Sequence, residues 1–183
     1  MNEKKLNKKF KNSKNIYIMI YYDYFKKETY SNILPLGLLP YTQKNINDFK
    51  SKGININKRT FIILDDIKCV LSDGQIIIIP KGFTTDLMSI PRWLWSLLSP
   101  FDSALIGDII HDFLYTDKIN QIQKFNNNIY QAQKFADEER NKWRNKITKE
   151  IPNNNLKIKN WLTNIILKLF AKNFYIRKYQ IPD

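Results

Sequence analysis

Histidine occurs once in 183 residues, cysteine once and glycine five times, and each scarcity closes off chemistry. One cysteine, Cys69, allows no intramolecular disulfide, so the chain does not rely on an oxidising compartment for stability. One histidine, His111, excludes the HExxH zinc proteases, which need two, and the HD-type phosphohydrolases, which need a further histidine beside their His-Asp pair. Cys69 falls in a predicted strand without the helix N-terminus or positive neighbours that activate a thiol, which argues against cysteine–histidine catalysis. Ser89 has the right type for a Ser-His-Asp triad but no nucleophile elbow around it. The longest apolar run near the start, residues 16–22, is far short of the roughly 20 residues that span a bilayer. It ends at Asp23 without a small-residue cleavage pattern, so the sequence reads as having neither a signal peptide nor a transmembrane segment.

The length suits one domain with appended arms and is enough to bury a real apolar interior. The net charge of +13 is unevenly spread. Residues 1–60 hold 13 Lys/Arg against 4 Asp/Glu, residues 61–118 hold 4 against 8, and residues 119–183 hold 13 against 5. The middle is therefore an acidic island whose acidic residues are all Asp, the short carboxylate suited to caps, turns and hard-cation sites. The basic flanks suit an anionic partner surface, membrane or nucleic acid. Abundant Asn, Lys and Ile offer a neutral account of the same charge, and no zinc-finger cysteines, P-loop or RNP-like motif accompanies it.

Along the chain, residues 1–15 read as a mobile arm, 16–25 as a β-branched and aromatic strand, and 30–41, with Pro35, Gly37 and Pro40, as an irregular connection. Residues 45–57 read as loop or a short helix. From Arg59 the pattern sharpens into strands over 60–64, 68–71 and 75–79, with Ser72-Asp-Gly74 supplying turn chemistry. Pro80 and Gly82 end this hairpin or meander. Ser89 and Pro91 fit the cap and first turn of a short helix. In it, Trp93 and Trp95 read as apolar bulk. Asp86 sits just before it in a loop fixed at both ends, where a carboxylate is held either to bind or to cap the turn.

The central stretch is residues 104–115, a helix pattern approached from Pro100 and capped by Asp102 or Ser103. Leu105, Ile106, Ile109, Ile110, Phe113 and Leu114 form a broad apolar stripe, while Asp108, His111, Asp112 and Tyr115 recur three or four residues apart on another face. Successive turns thus present a carboxylate, an imidazole beside a second carboxylate, and a phenol. The alternative for a lone histidine is a satisfied core or surface residue. A further helix carries Ile129, Ala132, Ala136 and Trp143 on or near one face, and Asp137 at the edge of that face is the candidate to meet the histidine helix. Glu138 and Glu139 read as solvated. After the break at residues 151–155, the last helix is strongly amphipathic: Trp161, Leu162, Ile165, Ile166, Leu169 and Phe170 interleave with Lys157, Lys159, Lys168 and Lys172. It suits packing onto its own domain, a membrane surface or a partner helix.

With one histidine, the remaining mechanism is His111 as a general base on water, its tautomer fixed by a carboxylate on the other ring nitrogen. Asp112 and Asp86 would hold a hard cation, Ca2+ or Mg2+ rather than zinc, because the available ligands are oxygens.

Three ordered motifs carry a resemblance: Pro80-Lys-Gly-Phe-Thr-Thr-Asp-Leu-Met-Ser-Ile-Pro-Arg92, His111-Asp-Phe-Leu-Tyr115 and Ala136-Asp137. Over about residues 59–145 the chain resembles a family of small phage and prophage proteins known only as a domain of unknown function. That resemblance implies a phage setting, with the host cytoplasm or the virion as location and a phage or host protein as partner. A more distant similarity is to phospholipases A2, whose central helix bears His-Asp-x-x-Tyr, here His111, Asp112 and Tyr115. It implies that His111 activates water, Asp112 binds calcium and Asp137 holds the imidazole. The glycine-rich calcium loop and the flanking disulfide cysteines of phospholipases are absent.

The expected architecture is α+β: a small antiparallel sheet followed by three to four helices, with residues 1–58 a basic N-terminal extension and 59–183 a single domain ending in the amphipathic helix. The expected site is His111, Asp137 and Tyr115 as catalytic residues, with Asp112 and Asp86 for metal. The expected function is an intracellular, phage-encoded hydrolase-like protein acting on an ester or lipid. The competing expectation is a non-enzymatic virion or host-directed binding protein in which the His-Asp network is structural.

Overall fold

A computed structural model describes residues 20–26, 34–54, 56, 58, 60–87, 104–116, 123–150 and 154–178. The N-terminal arm, the Ser89–Pro91 cap, Trp93, Trp95 and the Asp102 or Ser103 cap lie outside them. The architecture is α+β, with two three-stranded sheets. The antiparallel hairpin expected from the Ser72-Asp-Gly74 turn is β4 (Ile67–Val70) paired to β5 (Ile76–Ile79), with Cys69 opposite Ile77. Gly74 closes the turn at φ +86°, a conformation that glycine adopts without a Cβ clash. Alternation sends Ile67, Cys69, Ile77 and Ile79 into the core while Ile76 and Ile78 stay exposed.

The sheets are not purely antiparallel. β1 (Ile20–Asp23) lies parallel to β4, with Tyr22 opposite Cys69, so the first sheet is mixed, in the order β1-β4-β5. A second sheet joins β2 (Leu36–Leu38), β3 (Phe61–Ile63) and β6 (Thr84–Thr85), all antiparallel. β2 occupies a stretch that its Pro and Gly residues mark as irregular; it becomes a strand by pairing with β3, where Gly37 lets Leu64 approach to 3.1 Å of where a Cβ would stand. Both β1 and β2 thus come from the first 58 residues and pair with strands that follow residue 60.

Four helices complete the described residues: α1 (Gln43–Lys50), α2 (Leu105–Thr116), α3 (Ile129–Glu150) and α4 (Asn154–Lys178). α1 starts at Thr42, whose hydroxyl accepts the Asn45 N–H at 3.2 Å. It precedes β3, so not every helix follows the sheets. α2 turns Ile106, Ile109, Ile110 and Leu114 into the core with Ala132, Ala136, Trp143 and Ile147 of α3. Ile129, expected near that face, is 40% exposed. The two helices approach closely at Gly107, where an added Cβ would meet Arg144 Cγ at 3.0 Å and the Arg140 carbonyl at 3.2 Å. α4 rests on α3 through Leu156, Asn160 and Thr163 and leaves Ile158, Trp161, Ile165 and Leu169 exposed.

Candidate functional site around His111

Side-chain partners between α2 and α3 run in opposite chain order, Asp108 with Arg140 and Arg144, then His111 and Tyr115 with Asp137, so the helices are antiparallel. His111 and Tyr115, one turn apart on α2, face the same way, and their rings pack at a tilt of 39° with centroids 4.1 Å apart. Both end on one atom: Asp137 Oδ1 lies 2.9 Å from His111 Nε2 and accepts the Tyr115 hydroxyl at 2.6 Å. A carboxylate offers no proton, so in the neutral imidazole Nε2 carries the hydrogen and Nδ1 keeps its lone pair.

Nδ1 faces Asp112, whose Oδ1 is 3.5 Å away. The other oxygen of Asp112 accepts the Thr85 hydroxyl at 2.5 Å, and Thr85 Oγ1 in turn accepts the Leu87 N–H at 3.0 Å. This pair of bonds docks the end of β6 onto α2. It also holds buried Leu87 at φ +66°, a left-handed conformation that a branched side chain adopts at some cost. Asp86, half-buried, follows Thr85 in the chain.

The His111 side chain is 9% exposed, Asp112 12% and Asp137 24%, so the whole group is largely shielded from solvent. Burial opposes protonation of the imidazole, but the hydrogen bonds and negative charges of Asp112 and Asp137 outweigh it and hold His111 above its ordinary pKa. An imidazole in this arrangement can take up a proton: Nε2 is anchored on Asp137, Nδ1 is directed at Asp112, and both carboxylates stabilise the imidazolium that proton uptake would create.

The arrangement brings together four of the five residues read from the sequence, His111, Asp112, Tyr115 and Asp137, in one connected group. Asp112 Oδ2 is engaged by Thr85, and among the described residues no set of three or more His, Cys, Asp or Glu could hold a metal ion.

Sequence reading missed three parts of the surroundings. Thr85 stands beside Asp86 in the same motif, and its hydroxyl is the link to Asp112. Asp108 shares the face of His111 but is spent on Arg140 Nε at 2.6 Å and Arg144 Nη1 at 2.5 Å, in an ion-pair cluster whose side chains are at most 2% exposed. Burial pulls Arg140 below its ordinary pKa in spite of Asp108. Glu139, read as solvated, is fully buried: it accepts the Ser72 N–H at 2.7 Å, the Ser72 hydroxyl at 2.5 Å and the Trp143 indole N–H at 2.9 Å. The cause is the β4–β5 turn, which lands on α3 and supplies donors that a helix pattern alone does not reveal. The available signal was the placing of Glu139 and Trp143 four residues apart on one helix.

No curated protein and no solved structure matches the chain. Residues 61–148, the stretch that contains His111, Asp112, Tyr115, Asp137, Thr85 and Asp86, match the model of a family described as "Protein of unknown function (DUF1353)".

Proposed function

We propose that the chain is a hydrolase in which His111 activates water for attack on an ester, a phospholipid ester included. The single observation that carries this reading is the shared acceptor: Asp137 Oδ1 takes both His111 Nε2 and the Tyr115 hydroxyl, which fixes the imidazole with Nδ1 as the basic nitrogen. A water at Nδ1 would lose its proton to the ring while its oxygen attacks the carbonyl carbon. The imidazolium so formed would sit between Asp112 and Asp137 and return the proton to the leaving alkoxide. Tyr115 and Asp137 are positioning residues in this scheme, acting through the ring. A phage or prophage origin accompanies the reading on the strength of the motif resemblance.

The test is hydrolysis of phospholipid vesicles and of short-chain soluble esters by the full chain, run with Ca2+, with Mg2+ and with a chelator. His111→Gln should abolish turnover while cooperative unfolding persists, and the chelator arm decides whether a cation at Asp112 and Asp86 takes part. No turnover on either ester class in any arm, or equal turnover by wild type and variant, overturns the proposal.

A second reading is favoured by one observation, the engagement of Asp112 by Thr85. In it the same residues form a polar clasp between α2 and β6 in a non-enzymatic virion or host-directed binding protein. That reading predicts that His111→Ala costs about 1–3 kcal/mol of stability by stranding buried partners, with no activity to lose.

A further inference from the structure

α4 is turned inside out relative to an ordinary surface helix. Its packed side is largely polar, with Asn160 and Thr163 buried beside Leu156. Asn160 accepts Arg144 Nε at 2.7 Å and donates to Thr148 Oγ1 at 2.6 Å, and Asn164 accepts Arg140 Nη1 at 3.4 Å. Its outward side is apolar. Ile158, Trp161, Ile165 and Leu169 recur at helical spacing in one stripe, at 59%, 63%, 38% and 68% exposure. A helix normally buries such a stripe, and a contiguous exposed one marks an interaction surface.

Charge selects the partner. The 25 residues of α4 include Lys157, Lys159, Lys168, Lys172, Arg177 and Lys178 and no Asp or Glu. Lys157 is exposed and stands about 100° around the helix from Ile158 on one side, and Lys159 stands about 100° on the other, so cations flank the stripe. At about 1.5 Å per residue the helix is roughly 37 Å long, yet no helix among the described residues is long and apolar enough to cross a membrane. Apolar residues with an indole in the middle, basic residues along the margins and no acidic residue is the pattern of a helix that lies in a lipid–water interface. A protein partner of that shape would need a groove lined with acids. A duplex nucleic acid would use the lysines but has no use for the exposed Ile and Leu.

We propose that α4 docks the protein, parallel to the surface, on an anionic lipid bilayer, with Trp161, Ile165 and Leu169 inserted among the acyl chains and the flanking lysines against the headgroups. This holds whether or not His111 is catalytic.

The test is co-flotation of the full chain with vesicles of phosphatidylcholine alone and of phosphatidylcholine with phosphatidylglycerol. Wild type should float with the anionic vesicles, less so as salt rises, and not with the zwitterionic ones. Trp161→Ser should weaken that binding about tenfold or more, as loss of one inserted large apolar side chain implies, and Leu169→Ser should act alike. Both positions are exposed, so the thermal midpoint should stay unchanged, which separates the effect from misfolding. Failure to float with anionic vesicles overturns the proposal, as does binding that Trp161→Ser and Leu169→Ser leave intact. Self-association that those variants abolish would assign the stripe to a second copy, and tighter retention on duplex DNA, insensitive to them, would assign the charge to nucleic acid; either result also overturns it.

Discussion

Tyr115 and His111 converge on a single oxygen of Asp137, at 2.6 Å and 2.9 Å. One turn of α2 separates the two donors, and α3 supplies the acceptor, so the imidazole is set by the same helix pairing that builds the core. Few groups can occupy such a point. The carboxylate is needed for its charge as well as its shape, because the stabilised species is an imidazolium.

Asp137→Asn keeps the shape and removes the charge. The pKa of His111 should fall relative to wild type, and any hydrolytic rate should fall with it, because the ring loses its orienting anion. Tyr115→Phe removes only the second donor and should leave His111 charged in the same pH range. Titration followed by NMR of the two variants checks both statements, and an unaltered His111 pKa in Asp137→Asn would contradict the first.

Stability should depend on pH through His111. Its pKa in the folded chain is raised, against 6.5 for the unperturbed group. The folded state therefore binds the proton more tightly than the unfolded one. The resulting stabilisation is fully present below about pH 6.5 and is lost as pH rises through the folded value. Urea unfolding of wild type and His111→Gln across pH 6 to 9 isolates this term. The difference between them should shrink as pH rises, and a difference that grows would have the wrong sign.

Asp108→Ala should be among the most destabilising single changes in the chain. It leaves Arg140 and Arg144 buried without their shared anion, and removing one partner of a buried ion pair costs about 3–5 kcal/mol. Urea unfolding measures it directly, and a loss under about 1 kcal/mol would mean that the cluster is open to water.

Gly107→Ala tests the α2–α3 approach. A methyl group there has to displace Arg144 Cγ and the Arg140 backbone, and overpacking of this kind costs about 1–3 kcal/mol. Because the same interface carries His111 and Asp137, the substitution should also perturb the histidine resonances.

Much of this fold was legible wherever local pattern and tertiary role agree. The alternation of residues 67–79 and the glycine turn gave the hairpin, and the apolar period of residues 105–114 gave α2 with its polar face. The meeting of Asp137 with His111 followed from its place at the edge of the α3 stripe. The rest depends on long-range partners. β2 is a strand because β3 lies beside it, and the parallel register of Tyr22 with Cys69 has no sequence signature. Glu139 looks solvated until the Ser72 turn is placed on it. Asp108 and His111 share a face and look equivalent, yet one is neutralised by two arginines and the other is held between two carboxylates. Which face of α4 points inward was not legible, because its buried residues are Asn160 and Thr163 beside Leu156.

The central claim is that His111 is anchored through Nε2 and basic at Nδ1. With one histidine in the chain, a long-range 1H–15N correlation spectrum of uniformly labelled protein reports that side chain without assignment ambiguity. The account predicts a neutral form protonated at Nε2, with a pKa above that of the unfolded chain. A neutral ring protonated at Nδ1, or a pKa at or below the unfolded value, would contradict it.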